Sequence, residues 1–257
     1  MRRPARPAAK QAPRMTEKHA PRHPPAELAG LHPEQALQLL RHCGVAEPVG
    51  QRGSTEWLQS LLDALVDLSS RDALTGLANR RSFELALARE IDRVARSGEP
   101  ALLLALDIDH FKAVNDLHGH AAGDEVIKFV AQVLQDSVRP MDLVARIGGE
   151  EYAIVMPNCP ATFGQAVAER IRRKIETTPV ATSPHQHIAV TASIGGAFAP
   201  QWVRSTSALW LARADLQLYR AKAQGRNRVL MEPAAMPQVS AEEKALLFES
   251  SNFQELE

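Results

Sequence analysis

The stretch that most constrains this chain is Ala101–Asp107, Ala-Leu-Leu-Leu-Ala-Leu-Asp. It is continuously apolar up to its last residue, with no polar alternation. Such a run is far shorter than the ~18 residues of a membrane span. It reads as a strand buried on both faces, and a strand of that kind needs helices on both sides of its sheet. Asp107 ends it, and Asp109 follows where the chain turns from strand to helix. Ligand sites of open α/β sheets collect at such strand ends.

The flanking sequence supplies the layers. Asn79 fits the cap of a helix whose apolar face is Phe83, Leu87, Ile91 and Val94. His110–Leu117, Ala121–Val138, Ala161–Thr177 and Thr206–Ala223 read as helices, and Gly225 ends the last of them. Leu143–Ile147, Tyr152–Met156, Ile188–Phe198 and Arg228–Met231 read as strands. Between the first two, Gly148-Gly149-Glu150-Glu151 is a hairpin signature, its glycines expected to supply positive φ. The expected fold class is α/β (α+β), a mixed central sheet of about five strands wrapped by helices.

Upstream, Pro33 opens and Gly44 closes a helix over 33–43, with Leu37 and Leu40 as its stripe. A second helix runs from about Thr55 to Ser69. Its Leu58, Leu61, Leu65 and Leu68 repeat with the spacing of a and d positions. Two heptads fit a helix packed on its own domain as well as a dimer stalk. The expected organisation is a basic, proline-rich, disordered tail over 1–25, then a short helical segment of unassigned role over 26–54. A connecting or dimerisation helix over 55–70 leads into the α/β domain over 71–232. An acidic tail over 233–257 closes the chain, with a short helix around Glu242–Glu249.

Charge and cysteine usage exclude several classes. The 30 Lys and Arg balance the 30 Asp and Glu, so no basic excess stands behind nucleic-acid or anionic-membrane binding. Cys43 and Cys159 are too few for a disulfide framework and read as reduced thiols. The proline-broken basic start fits no signal peptide, so a cytoplasmic location is expected. Neither a G-x-x-x-x-G-K-[ST] loop nor G-x-G-x-x-G occurs, so any nucleotide must be held by metal and side chains.

The chemistry gathers at the strand end. If the hairpin lies beside the 101–107 strand, one of Glu150 and Glu151 approaches Asp107. Clustered carboxylates then call for a hard cation. Oxygen-only donors favour magnesium, or manganese, over zinc, and carboxylate-held magnesium accompanies a phosphate-bearing substrate. The plainer alternative has Asp109 capping the next helix and Asp107 in water. Lys112, at a helix start, can join backbone N–H groups in holding phosphate. Asn115 and Asp124 are base-reading residue types, although each also fits a helix cap. Lys222 and Arg226, four apart around a helix terminus, fit a phosphate clamp or surface salt bridges.

Five linked segments carry a family resemblance. They are DALTGLANRR from Asp72, DIDHFKAVNDLHGHAAGDEV from Asp107, RPMDLVARIGGEEY from Arg139, SIGGAF from Ser193 and ADLQLYRAKAQGRNRV from Ala214. Over about Ser70 to Glu232 the chain resembles the GGDEF domain of diguanylate cyclases. That resemblance implies a fold like nucleotidyl cyclase and polymerase palm domains. It also implies a bacterial signalling transferase that condenses two GTP into cyclic di-GMP with release of pyrophosphate, working as a homodimer of half-sites.

Residue roles come with the resemblance. Asp107, Glu150 and the Ile108 carbonyl match the metal contacts, and Glu150 also matches the proposed acceptor of the 3′-hydroxyl proton. Asn115 and Asp124 match the guanine readers, and His120 a further substrate position. Phe111, Lys112, Lys222 and Arg226 match positions lining the phosphates. Gly148, Gly149 and Glu151 complete the signature turn. Arg139 and Asp142 match an inhibitory product site. Tyr152 stands where Phe is usual, and Gln217 where Ala is usual; neither is a ligand position. The competing reading is a catalytically silent effector that binds cyclic di-GMP through Arg139 and Asp142. An unidentified regulatory protein is a further expected partner.

Overall fold

A computed structural model describes residues 32–183, 186–201 and 205–233. The expected disordered tail over 1–25 and the helix expected around Glu242–Glu249 lie outside them. The chain divides into two compact units, Met1–Leu68 and Ser69–Glu257.

In the first unit, α1 (Glu34–His42) buries Leu37 and Leu40 against Trp57 and Leu61 of α2 (Thr55–Ser70). Gly44, at φ 69°, ends the first helix in the left-handed region that glycine adopts without strain. Leu61 of the a/d seam is thus covered by α1, and Leu58, Leu65 and Leu68 are half-buried beside it. Leu62 and Val66, outside the seam, are exposed.

The second unit is built on a five-stranded sheet, order β2-β3-β1-β6-β7. Its strands are β1 (Ala101–Ile108), β2 (Leu143–Arg146), β3 (Glu151–Pro157), β6 (Ala192–Phe198) and β7 (Val229–Met231). All neighbours are antiparallel except β6 and β7. β1 is the middle strand and every residue of it is buried. Its even residues, Leu102, Leu104, Leu106 and Ile108, pack under α4 (Phe111–His118), α5 (His120–Ser137) and α6 (Ala161–Thr177). Its odd residues Leu103 and Ala105 pack under α3 (Arg80–Ser97) and α7 (Ser207–Ala223). Asp107 continues the odd series, so strand geometry alone aims it at the α7 side.

Local chemistry sets the helix ends. Asn79 accepts the Ser82 N–H at 3.0 Å and caps α3, as the sequence implies. Thr206 does the same for α7 through the Leu209 N–H. Gly195 lets α7 lie directly on β6, because a Cβ there would run into the backbone of Ala214 and Leu218.

Two expectations are corrected. The strand expected over Ile188–Phe198 starts only at Ala192. Before it, β4 (Val180–Ser183) and β5 (Gln186–Ile188) pair with each other as a separate two-stranded ribbon. Val180 and Ile188 of this ribbon are buried in the same core as α5, while Gln186 and His187 face outward. The hairpin glycines also act differently. Among the described residues, neither Gly148 nor Gly149 is among those with positive φ. What Gly148 provides is room: a Cβ there would meet the carboxylate of Glu151 folded over the turn.

Candidate active site

The hairpin does lie beside β1. Asp107 pairs with Glu151 in register, and the Ile108 N–H donates to the Glu150 carbonyl at 3.3 Å. On the other side Asp107 pairs with Ser193 of β6. The acid is therefore enclosed by two strands and buried. Its Oδ2 lies 2.7 Å from the Lys222 ammonium at the end of α7. Burial pushes its carboxyl above the ordinary range; the Lys222 contact opposes that, and the charges of Glu151 and Asp109 add to it. Glu150 is pushed up as well, by burial first and then by the Asp107 charge.

A concentration of negative charge that its surroundings penalise is what a divalent cation relieves. The Lys222 ammonium already stands on Asp107 as a monovalent counter-charge. Among the described residues no group of three or more His, Cys, Asp or Glu side chains is placed to hold a metal. Two carboxylates, a backbone oxygen such as that of Ile108 and phosphate oxygens of a ligand form a hard, oxygen-only donor set that fits magnesium.

The nucleotide side is built by α4 and α5. Phe111 is buried at the start of α4, and Lys112 beside it is exposed. Asn115 is half-buried on α4, and Gly123 in the first turn of α5 makes room for it: a Cβ at Gly123 would fall on the Asn115 side-chain oxygen. Asp124 follows Gly123 and is exposed, as is His120. Asn115 thus lies against Gly123, the residue before Asp124, at the α4–α5 corner. Neither Asn115 nor Asp124 is an N-cap: the residues capping α4 and α5 are His110 and Gly119, with no side-chain cap bond. Arg226 is exposed beyond the end of α7, in the turn that also follows Lys222.

Sequence reasoning missed the roles of three residues here. Gly123 is one. Arg146 is another: its Nη2 and Nε donate to the Gly149 carbonyl at 2.7 and 3.2 Å, and its Nη1 donates to Asp72 at 3.1 Å. Burial opposes ionisation of Asp72, but the Thr75 and Arg146 hydrogen bonds outweigh it and hold its carboxyl below the ordinary range. Arg146 thus ties the hairpin turn to the Asp72–Gly76 turn that leads into α3. The only hint in sequence was its place just before the glycines. The third is Asp109. It caps no helix and is as buried as Asp107, contrary to the plainer alternative.

Arg139 and Asp142 form a separate corner. The Asp142 side chain is fully buried. It accepts the Arg139 backbone N–H at 2.8 Å and is gripped by the guanidinium at 2.8 and 3.2 Å. Arg139 also donates to the Pro157 carbonyl at 2.9 Å and lies over the Phe163 ring. A cleft of about 380 Å³ adjoins the pair, lined among others by Ser70, Arg71, Gln135 and Leu143. The Asp142 acceptors thus face Arg139.

Residues 69–228 match the family model described as diguanylate cyclase, GGDEF domain, and the chain belongs to that family. It is 40% identical over 161 residues to the probable diguanylate cyclase DgcC of Escherichia coli, covering 63% of this chain and 43% of that protein. It is 37% identical over 191 residues to the response regulator PleD of Caulobacter vibrioides, covering 74% and 42%. The chain thus spans less than half the length of these relatives. The fold is similar to the coiled coil and GGDEF domain of DgcB from Caulobacter crescentus in complex with c-di-GMP. That match has a TM-score of 0.65 at 30% identity and covers 78% of this chain and all of that one. It is also similar to the diguanylate cyclase SiaD of Pseudomonas aeruginosa bound to its activator SiaC. There the TM-score is 0.63 at 35% identity, with 68% and 66% covered.

Proposed function

We propose that the chain is a diguanylate cyclase that converts two GTP into cyclic di-GMP and two pyrophosphates. The observation that carries this reading is the meeting of Asp107 with the Glu150 turn at the end of β1, with the Lys222 ammonium 2.7 Å from Asp107. Magnesium, or manganese, held by Asp107, Glu150 and the Ile108 carbonyl would neutralise triphosphate charge. Lys222, Arg226 and Lys112 line the phosphates beside Phe111. Asn115 and Asp124 read guanine, with His120 at the substrate's edge. Glu150 also takes the 3′-hydroxyl proton as that oxygen attacks the α-phosphorus and pyrophosphate leaves.

One nucleotide cannot close the ring, so two copies present their half-sites to each other. The GTP pool and the two unpaired cysteines, Cys43 and Cys159, fit a cytoplasmic setting. Among the described residues no helix is long and apolar enough to cross a membrane. Product restrains the enzyme at Arg139 and Asp142, and a regulatory protein is a fitting input partner, as SiaC is for SiaD. The test is mass analysis of product after incubation with magnesium and either GTP or ATP. Cyclic di-GMP from GTP is expected, with ATP turned over roughly 10⁴-fold less well. No cyclic product from GTP would overturn the reading.

A further inference from the structure

Two acids stand at the end of β1, and the proposed reaction uses only Asp107. Asp109 is equally buried and its carboxylate is fully engaged. Oδ2 accepts the Thr191 hydroxyl at 2.7 Å and the Asn227 backbone N–H at 3.0 Å, and Oδ1 accepts the Ser193 hydroxyl at 2.7 Å. The contact to Asn227 reaches the turn that joins α7 to β7. That turn is conformationally costly. Gly225, Arg226 and Asn227 are all left-handed, at φ 112°, 62° and 46°, and the last two carry side chains. A backbone so placed persists only where its surroundings fix it.

Two anchors fix it. The Asn227 side chain accepts from Arg172 at 2.7 Å and donates to Glu176 at 2.6 Å, both on α6. Its backbone N–H is held by Asp109. The turn also carries Arg226, and Lys222 lies one helical turn before it. β1 therefore grips this segment twice, through Asp107 on Lys222 and through Asp109 on Asn227. The first grip is exchangeable, because a cation competes with the ammonium for Asp107 and a phosphate competes with Asp107 for the ammonium. The second involves a neutral, half-buried backbone N–H, which neither a cation nor a phosphate displaces by charge.

We infer that Asp109 is a positioning residue: it holds the Arg226–Asn227 turn so that Lys222 and Arg226 stay aimed at the nucleotide phosphates when Lys222 leaves Asp107. This rests on the cyclase reading given above.

The test compares wild type with Asp109→Ala, Asp109→Asn and Ser193→Ala. An amide at 109 can turn its oxygen to Asn227 and Thr191 and donate to the Ser193 hydroxyl, so the clamp survives. Ser193→Ala removes a buried bond of the same network without touching the turn. The expected result is a KM for GTP raised about tenfold in Asp109→Ala, recovered to within about threefold by Asp109→Asn. It should be near wild type in Ser193→Ala, although that variant's Tm also falls. A KM for Asp109→Ala within about twofold of wild type overturns the proposal. So does an equal rise in Ser193→Ala, or an amide variant as poor as the alanine. Amide hydrogen exchange over 222–228 separates this from the cyclase reading. If wild type makes no product, that reading fails alone. Exchange accelerated about tenfold in Asp109→Ala but not in Ser193→Ala then still supports the clamp, and unchanged exchange overturns it.

Discussion

Two corners of the same sheet hold carboxylates next to cations, and they are opposites. At the Arg139 corner, one fully buried acid faces one arginine three residues away, and every strong contact closes within that turn or on the Pro157 carbonyl. At the Asp107 corner, an acid from β1 and an acid from the β2–β3 turn lie near one lysine from a helix, which touches Asp107, and burial pushes both carboxyls above the ordinary range. A pair that closes on itself fixes the chain locally. Charge left in excess at a strand end is held ready for a ligand that brings the missing positive charge.

The sharpest way to break this contrast is to neutralise the open corner. Asp107→Asn and Glu150→Gln should each lower cyclic di-GMP formation at least ~10²-fold. Because both carboxyls are penalised for their charge, neither change should lower Tm. Product from Glu150→Gln within a few-fold of wild type would remove the assignment.

Arg146→Ala should have the next largest effect. It frees the Gly149 carbonyl and leaves Asp72 without its guanidinium, loosening the turn that presents Glu150. Roughly tenfold lower turnover is expected, with about 1–3 kcal/mol lost in stability. Turnover equal to wild type in a destabilised variant would show that the hairpin keeps its shape without Arg146.

Magnesium alone should raise Tm by a few degrees, since a ligand that binds only the folded chain stabilises it. Asp107→Asn should abolish that rise and Arg139→Ala should not. Equal magnesium shifts in all three proteins would place the cation elsewhere.

The smallest effect on turnover belongs to the closed corner. Arg139→Ala should leave the initial rate within a few-fold, raise final product yield and remove inhibition by added cyclic di-GMP. Stability should drop in the same variant, because Asp142 stays buried without its partner. Progress curves with added product decide the matter: if wild type and variant slow alike, the corner is structural only.

Much of this was readable from the order of residues. The continuous apolar run over 101–107 made β1 central, because only a strand covered on both faces tolerates it. Asn79 and Gly225 marked helix ends through local hydrogen bonding and backbone freedom. The Gly148-Gly149-Glu150-Glu151 turn announced the acids that meet Asp107, while the helix layer on that face was set by the fold. The ribbon Val180–Ser183 with Gln186–Ile188 was not readable, because strands this short show no periodicity and pair only with each other.

Nor could sequence tell the two acids of Asp107-Ile108-Asp109 apart. Both carry the same charge, two residues apart, on the same side of the chain. Their difference comes from groups 82, 84 and 118 residues away: Thr191, Ser193 and the Asn227 N–H saturate Asp109. Asp107 receives the Lys222 ammonium. Local pattern determines which residues reach the strand end. Which of them is already satisfied there depends on hydrogen-bond donors that only folding brings into reach.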